Sequence, residues 1–169
     1  MLNIALLAHL PMLESLSIPK RRVAAQFILP GGTSRDVAVF LAEAAPGHSG
    51  GERLSDLLNH SGSQFIPAVD AETNAMTFVP CENLALARVA AEFEPNAVDQ
   101  FTIPTEHEVE VRMVDGQRLR GLITYVLPEA HSRLTDYLNS SPRFLPLLEG
   151  ERVALINKRH VAYVEILRR

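Results

Sequence analysis

The seven residues Arg53-Leu54-Ser55-Asp56-Leu57-Leu58-Asn59 return later in the chain as Arg133-Leu134-Thr135-Asp136-Tyr137-Leu138-Asn139. Five of the seven positions are identical, and the change from serine to threonine is conservative. The residues that follow also recur, because Phe65-Ile66-Pro67 has its counterpart in Phe144-Leu145-Pro146. An internal repeat fixes the number and size of the folding units more firmly than any short motif does. The sequence therefore predicts two copies of one structural unit.

The second copy has the pattern strand-strand-helix-strand-strand-strand. Val109, Val111 and Met113 alternate with polar residues, which is the period of a half-buried strand, and Asp115-Gly116 suits a tight hairpin turn. Gly121 in the returning strand predicts a bend or bulge. The returning strand is predicted at 119–127, the helix at 132–139, and the last three strands at 144–148, 153–156 and 161–166.

The first copy follows the same order with a longer loop before its helix. Pro30-Gly31-Gly32 takes the place of the hairpin turn, and the helix is predicted at 53–58. Its strands are predicted at 23–27, 37–41, 65–69, 75–79 and 84–89.

Five short strands in each copy predict a mainly β protein made of two tandem small β-barrels, because closure removes the exposed edges of a short sheet. A single sandwich shared by both copies is the alternative. The expected organisation is an N-terminal arm or helix at 1–15, a first barrel at 16–91, a linker at 92–100 and a second barrel at 101–169. Units this small lie near the lower limit for independent stability. We therefore expect them to pack on each other or on a second chain.

The charge is modest and unevenly distributed. The net charge is −4, and residues 1–97 carry 6 basic and 10 acidic side chains, whereas residues 98–169 carry 10 of each. Any anionic partner must then be held by a local patch in the second copy.

The single cysteine, Cys81, excludes an internal disulfide and a cysteine-based zinc site, and it is compatible with the bacterial cytoplasm as the location. The apolar start lacks a basic region and is interrupted by Pro11, so we expect no export or membrane role for it.

The second copy resembles an Sm-like or SH3-like small barrel at its two ends. Val109-x-Val111-x-Met113-x-Asp115-Gly116 with Leu119-x-Gly121-x-Ile123 is similar to the first Sm motif, and the segment 156–164 is similar to the second. In the bacterial RNA chaperone of that family, a Lys-His pair in the second motif contacts uridine-rich RNA, and the resemblance implies such a role for Lys158 and His160. The helix at 132–139 replaces the RNA-binding loop of the family. The repeated Arg-Leu-Ser-Asp-x-Leu-Asn phrase resembles small uncharacterised bacterial domains.

Two sets of polar residues are candidate binding sites. The first is the repeated set Arg53, Asp56 and Asn59 with Arg133, Asp136 and Asn139, in which arginine and aspartate lie three residues apart and can pair on a helix. This set is either a duplicated ligand site or, as we favour, an anchor that fixes each helix to its barrel. The second set is a patch for an anionic partner, or else a solvated basic face, formed by Arg152, Lys158, Arg159 and His160.

Signs of catalysis are missing from the sequence. There is no G-x-S-x-G elbow and no phosphate-binding G-x-x-x-x-G-K-[ST] loop, and the six histidines have no H-x-H or H-x-x-x-H spacing. We therefore expect a protein that is not an enzyme and has no metal or other cofactor. The predicted function is a non-catalytic interaction or scaffold module that binds another protein or assembles with itself. The alternative is binding of RNA or single-stranded nucleic acid through the basic turn of the second copy.

Overall fold

The computed structural model describes residues 19–45, 47–60, 62, 64–95, 102–128, 133–140 and 142–168. The N-terminal arm expected at 1–15 lies outside the described residues, as do positions 96–100 of the expected linker. The first part of that linker is described, and it contains a turn of 3₁₀ helix at Ala91–Phe93 followed by the buried Glu94.

The mainly β prediction is confirmed. The elements are β1 (Lys20–Ile28), β2 (Ser34–Ala42), α1 (Leu54–Asn59), β3 (Phe65–Asp70), β4 (Met76–Pro80), β5 (Leu86–Ala90), β6 (Thr105–Met113), β7 (Arg118–Tyr125), α2 (Leu134–Ser140), β8 (Phe144–Glu149), β9 (Arg152–Asn157) and β10 (Val161–Arg168). All strands in the described part of the chain belong to one ten-stranded, open, antiparallel sheet in the order β10-β6-β7-β8-β9-β5-β1-β2-β3-β4. The two short helices cover it.

The sheet consists of two halves that correspond element by element. The first half comprises β1 to β5 with α1, and the second comprises β6 to β10 with α2. In each half the fifth strand pairs with the first, and the first four strands pair in chain order. One turn of 3₁₀ helix, Cys81–Asn83 or Lys158–His160, links the last two strands of each half. These turns align β4 with β9 and β5 with β10 position by position.

Glycines shape a hairpin turn and permit close strand packing in the second half of the sheet. The turn between β6 and β7 places Gly116 at a φ of 91°, in the left-handed region that the Asp-Gly pair predicted. Gly121 on β7 allows β8 to approach closely, because a Cβ atom at this position would lie 2.3 Å from the carbonyl oxygen of Leu148. This close approach is the physical reason for a glycine inside a strand.

Each helix packs its apolar face on the core of its own half. Leu54 and Leu58 of α1 are buried, and Leu57 is partly buried against the same cluster. In the second half Leu134 is buried, and the ring of Tyr137 stacks on that of Tyr125 with 4.6 Å between centroids. The helical spacing of these residues in the repeated phrase therefore serves packing.

The halves meet where β5 pairs with β9, and we call this contact the inner joint. Its register places Leu86 opposite Ile156 and Val89 opposite Val153. The second half also contributes apolar side chains to the core of the first. These side chains, which we call the donor residues, are Phe144, Val153 and Leu155. The first half is thus completed by residues of the second.

We predict that Leu58→Ala lowers the free energy of unfolding by about 2–5 kcal/mol, as expected for loss of a fully buried leucine side chain. Leu58 is 1% exposed. Urea denaturation of the full chain measures the change. Leu57→Ala on the same helix is the matched control and should cost less, because Leu57 is only partly buried. Equal losses would show that α1 does not pack by the face described.

Candidate interaction surface

The repeated polar set of the first half is a closed network at the start of α1. The Arg53 guanidinium donates to both carboxylate oxygens of Asp56, with Nη2 to Oδ1 at 2.8 Å and Nε to Oδ2 at 3.1 Å. The Arg53 backbone N–H donates to Asp56 Oδ2 at 2.9 Å, and His48 Nε2 lies 2.8 Å from the same oxygen. The pair thus caps the helix and ties it to the loop that carries His48.

The electrostatics of this network follow from its geometry. Burial alone would raise the pKa of Asp56, but hydrogen bonds from Arg53 and His48 outweigh it and lower that pKa to about 2. Nearby, Glu94 accepts a hydrogen bond from the Ser55 N–H at 2.8 Å, and burial raises the pKa of Glu94. Asp56 is therefore a structural anion whose hydrogen-bonding capacity is directed to the protein itself.

The counterparts in the second half lie in different surroundings. Arg133 is exposed, whereas Arg53 is half-buried. Asp136 is half-buried and lies near Tyr125. Burial raises the pKa of Tyr125, and the negative charge of Asp136 raises it further. The repeated pair does not build two equivalent pockets. The geometry favours helix anchoring over a duplicated ligand site.

Asn59, the last residue of the repeated phrase, spans the two halves. Its Nδ2 donates to the carbonyl oxygen of Phe144 at 3.3 Å, and the Phe144 N–H donates to its Oδ1 at 2.8 Å. One side chain thus satisfies both backbone groups of a residue at the start of β8. Asn139, its counterpart in α2, is exposed.

Two of the four residues in the predicted patch for an anionic partner contact the first half beside the inner joint, and a third contacts α2. Lys158 Nζ donates to the carbonyl oxygen of Leu138 at the end of α2, at 2.9 Å. Arg159 Nη1 lies 3.4 Å from Glu82 Oε2, and His160 Nε2 lies 3.0 Å from the Glu82 carbonyl oxygen. The fourth residue of the set, Arg152, is exposed on β9. The basic turn of the second half therefore rests on the acidic turn of the first.

Buried polar contacts complete the inner joint. Asn157 is fully buried, and its Nδ2 donates to the carbonyl oxygens of Leu84 at 3.0 Å and Cys81 at 3.4 Å. Arg88 on β5 pairs with Glu149 of β8, with 2.7 Å between Nε and Oε2. These contacts stabilise the inner joint and also fix the register in which its strands pair.

Two clefts in the described part of the chain differ in size and lining. A cleft of about 260 Å³ lies between α1 and the second half, with Arg53, Glu94 and Thr124 on its walls. It falls below the usual range of ligand pockets, roughly 300–1,000 Å³. A second cleft of about 640 Å³ falls within that range and is lined mainly by polar residues at the start of β2 and in the turn after β3. Among the described residues, no three His, Cys, Asp or Glu side chains are grouped so that they could hold a metal ion.

The most distinctive surface lies at the two ends of the sheet. β4 and β10 are the end strands, and large apolar side chains are exposed on both of them and on the neighbouring β3. The sequence pattern does not distinguish these residues from core residues. Alternation of apolar and polar residues predicts a strand, but it does not show whether another strand packs beside it. They are Phe65, Met76 and Phe78 at one end and Tyr163 and Ile166 at the other.

No protein-family model matches the chain, and no curated protein or solved structure matches it significantly. Among the described residues, no helix has the length and apolar character needed to cross a membrane.

We predict that the stabilising effect of Asp56 is pH-dependent. The folded-state pKa of Asp56 is about 2, below the value of about 3.9 for an unfolded chain. A depressed carboxyl pKa gives stability that is present above the unfolded value and is lost as pH falls through the folded value. The melting temperature of the wild type should thus exceed that of Asp56→Asn at pH 7, and this difference should shrink between about pH 4 and pH 2. Glu43→Gln, at an exposed carboxylate, controls for net charge. A difference that stays constant with pH would contradict the network.

We also predict unequal roles for the two repeated asparagines within one chain. Asn59→Ala should lower the free energy of unfolding by about 1–3 kcal/mol, because it leaves the Phe144 N–H and C=O without their partner. Asn139→Ala, the matched control, should change it by less than about 0.5 kcal/mol when the protein is dilute, since Asn139 is exposed. Chemical denaturation at low protein concentration measures both. Equal losses would mean that the contact between Asn59 and Phe144 contributes nothing.

Proposed function

We propose that this chain is a non-catalytic interaction module that binds a protein partner, or another copy of itself, through the ends of its sheet. In this proposal each half acts as a small barrel-like unit closed at one side by its helix. The location remains the cytoplasm, where a buried thiol such as Cys81 stays reduced.

The observation that carries this proposal is the cluster of Phe65, Met76 and Phe78 on neighbouring strands at one end of the sheet, all exposed. Single exposed apolar residues are common on protein surfaces, but a cluster on an end strand combines apolar area with unpaired backbone groups. Such an edge supports addition of a further strand, in which the backbone gives affinity and side-chain pockets give specificity.

The two sets of polar residues support the same proposal, because several of their side chains already bind other groups of this protein. Asp56 is bound by Arg53 and His48, and Lys158 and His160 contact other parts of the protein. Recognition of nucleic acid would need such cations to reach phosphates or bases. The alternative function therefore draws less support from the geometry than the sheet ends do.

We predict that a photo-crosslinking amino acid placed at Phe78 or Tyr163 in the native host will form protein adducts. Mass spectrometry then identifies the adduct. The matched control is the same amino acid at Val114, which is also exposed but lies in the hairpin turn after β6 rather than at an end strand. Adducts at 78 and 163 with none at 114 are expected. Absence of adducts at both end strands would overturn the proposal.

A further inference from the structure

The two end strands are copies of the two strands that meet in the inner joint. β9 corresponds to β4, because each immediately precedes a 3₁₀ turn, and β5 corresponds to β10, because each follows it. The inner joint pairs β5 with β9. The copies of these two strands, β10 for β5 and β4 for β9, are therefore the strands at the opposite ends of the sheet, where they do not pair with each other.

The donor residues show what the end of the first half lacks. Phe144, Val153 and Leu155 are 0%, 6% and 0% exposed, because they complete the core of the first half. Phe65, Met76 and Phe78 occupy the corresponding positions on β3 and β4. All three are large and apolar, yet they are 58%, 53% and 64% exposed.

The accepting side shows the same contrast. Val89 on β5 is 2% exposed, whereas Ile166, its counterpart on β10, is 48% exposed. Leu86 is 0% exposed and its counterpart Tyr163 is 51% exposed. The counterparts of both sides of the inner joint, on β4 and β10, thus keep apolar side chains that a single chain leaves exposed.

We propose that copies of this chain assemble head to tail, with β10 of one copy pairing antiparallel with β4 of the next in the register of the inner joint. This inference rests on the proposed function and names the partner as a second copy. By correspondence with Val89 opposite Val153 and Leu86 opposite Ile156, Ile166 faces Met76 and Tyr163 faces Val79 of the next copy. We call this contact the outer joint.

The repeated asparagine supplies independent support. Asn59 binds the backbone of Phe144 in the inner joint. Asn139 corresponds to Asn59 and Phe65 corresponds to Phe144, so the outer joint brings Asn139 to the Phe65 backbone of the next copy. Retention of asparagine at position 139, where it is exposed in a single chain, is explained by this contact.

The outer joint lacks some contacts of the inner one. Pro80 stands where Asn157 does, so one backbone N–H and the buried amide are lost. Glu165 replaces Arg88 and Asp70 replaces Glu149, which turns an attractive pair into two acidic residues. The outer joint is therefore the weaker of the two, and assembly depends on protein concentration.

The contact joins different surfaces of identical chains, so it is heterologous. Such a contact gives a closed ring when its rotation closes and a filament when it does not. In either product every interior copy uses both of its end strands. A chain blocked at one end can only terminate the assembly.

Complementary blocked chains test the assignment. Phe78→Asp blocks the β4 end and Ile166→Asp blocks the β10 end, because a charge at a sheet edge opposes pairing. Light scattering at high micromolar concentration should show oligomers for the wild type and for the control Val114→Asp, monomers for each blocked chain, and a one-to-one dimer for their mixture. Circular dichroism verifies folding, and Met76→Lys provides a second β4 block.

Cysteine pairs test the register. Chains carrying Met76→Cys mixed with chains carrying Ile166→Cys should form a disulfide-linked dimer under oxidation, because the two positions face each other in the outer joint. Val79→Cys mixed with Ile166→Cys is the out-of-register control and should not. Crosslinking of the control pair instead would overturn the assigned register.

Two further variants separate this joint from nonspecific apolar association. Asn139→Ala should raise the dissociation constant for self-association about tenfold, the loss expected for about 1.4 kcal/mol of hydrogen bonding. Glu165→Arg should lower it, since it restores an opposite charge to Asp70. Self-association that responds to neither variant would contradict the outer joint.

The outcomes distinguish this inference from the function on which it rests. A wild-type chain that stays monomeric, with crosslinks from position 78 to a different protein, overturns the second copy as partner and leaves the proposed function standing. A crosslink from position 78 to residues 1–18 of the same chain also overturns assembly. A monomer without any adduct at positions 78 and 163 overturns both.

Discussion

The fold depends on the insertion of Phe144, Val153 and Leu155 into the core of the first half. These side chains come from β8 and β9, but they pack among residues of β1, β2 and α1. Removing them from water is the main favourable contribution to joining the halves. The polar contacts have a second role. The side-chain amides of Asn59 and Asn157 can form their hydrogen bonds with the backbone of the other half in one register only. They therefore select that register, whereas apolar packing alone would tolerate a shift of the strands.

This constraint accounts for the contacts that the polar residues of the repeated phrase make in the first half. Arg53 and Asp56 hold the start of α1, and Asn59 holds its end against β8. A helix of six residues is too short to be stable by itself. Its position must be fixed by contacts at both ends, which is the task these three residues perform. The same reasoning applies to Lys158, whose amino group binds the last turn of α2 and so stabilises a carbonyl that the helix leaves open.

Much of the local structure could be predicted from the sequence, because it is encoded locally. Alternation in β6, the Asp115-Gly116 turn and the apolar face of α1 each depend on residues close together in the chain. The pairing of β5 with β9 has no such signal, since it joins segments far apart in sequence. Phe78 and Leu155 illustrate the consequence. Both are large apolar residues in strands of the same repeat position, and only the long-range pairing makes one exposed and the other buried. The contacts of the basic turn could not be predicted for the same reason, because its partner Glu82 lies in the other half.

Duplication of a unit that completes its neighbour has a general consequence for the ends of the molecule. Two units in one chain satisfy one joint and leave one donor side and one accepting side uncovered. Proteins usually protect such end strands with charges, proline or covering loops. β4 reads Met-Thr-Phe-Val-Pro and carries no charged side chain, and its only protective residue is the terminal Pro80. β10 carries Glu165, but Tyr163 and Ile166 near it are exposed. Ends that keep the apolar residues of the joint and lack most of this protection are suited to pairing, and they support the proposed assembly.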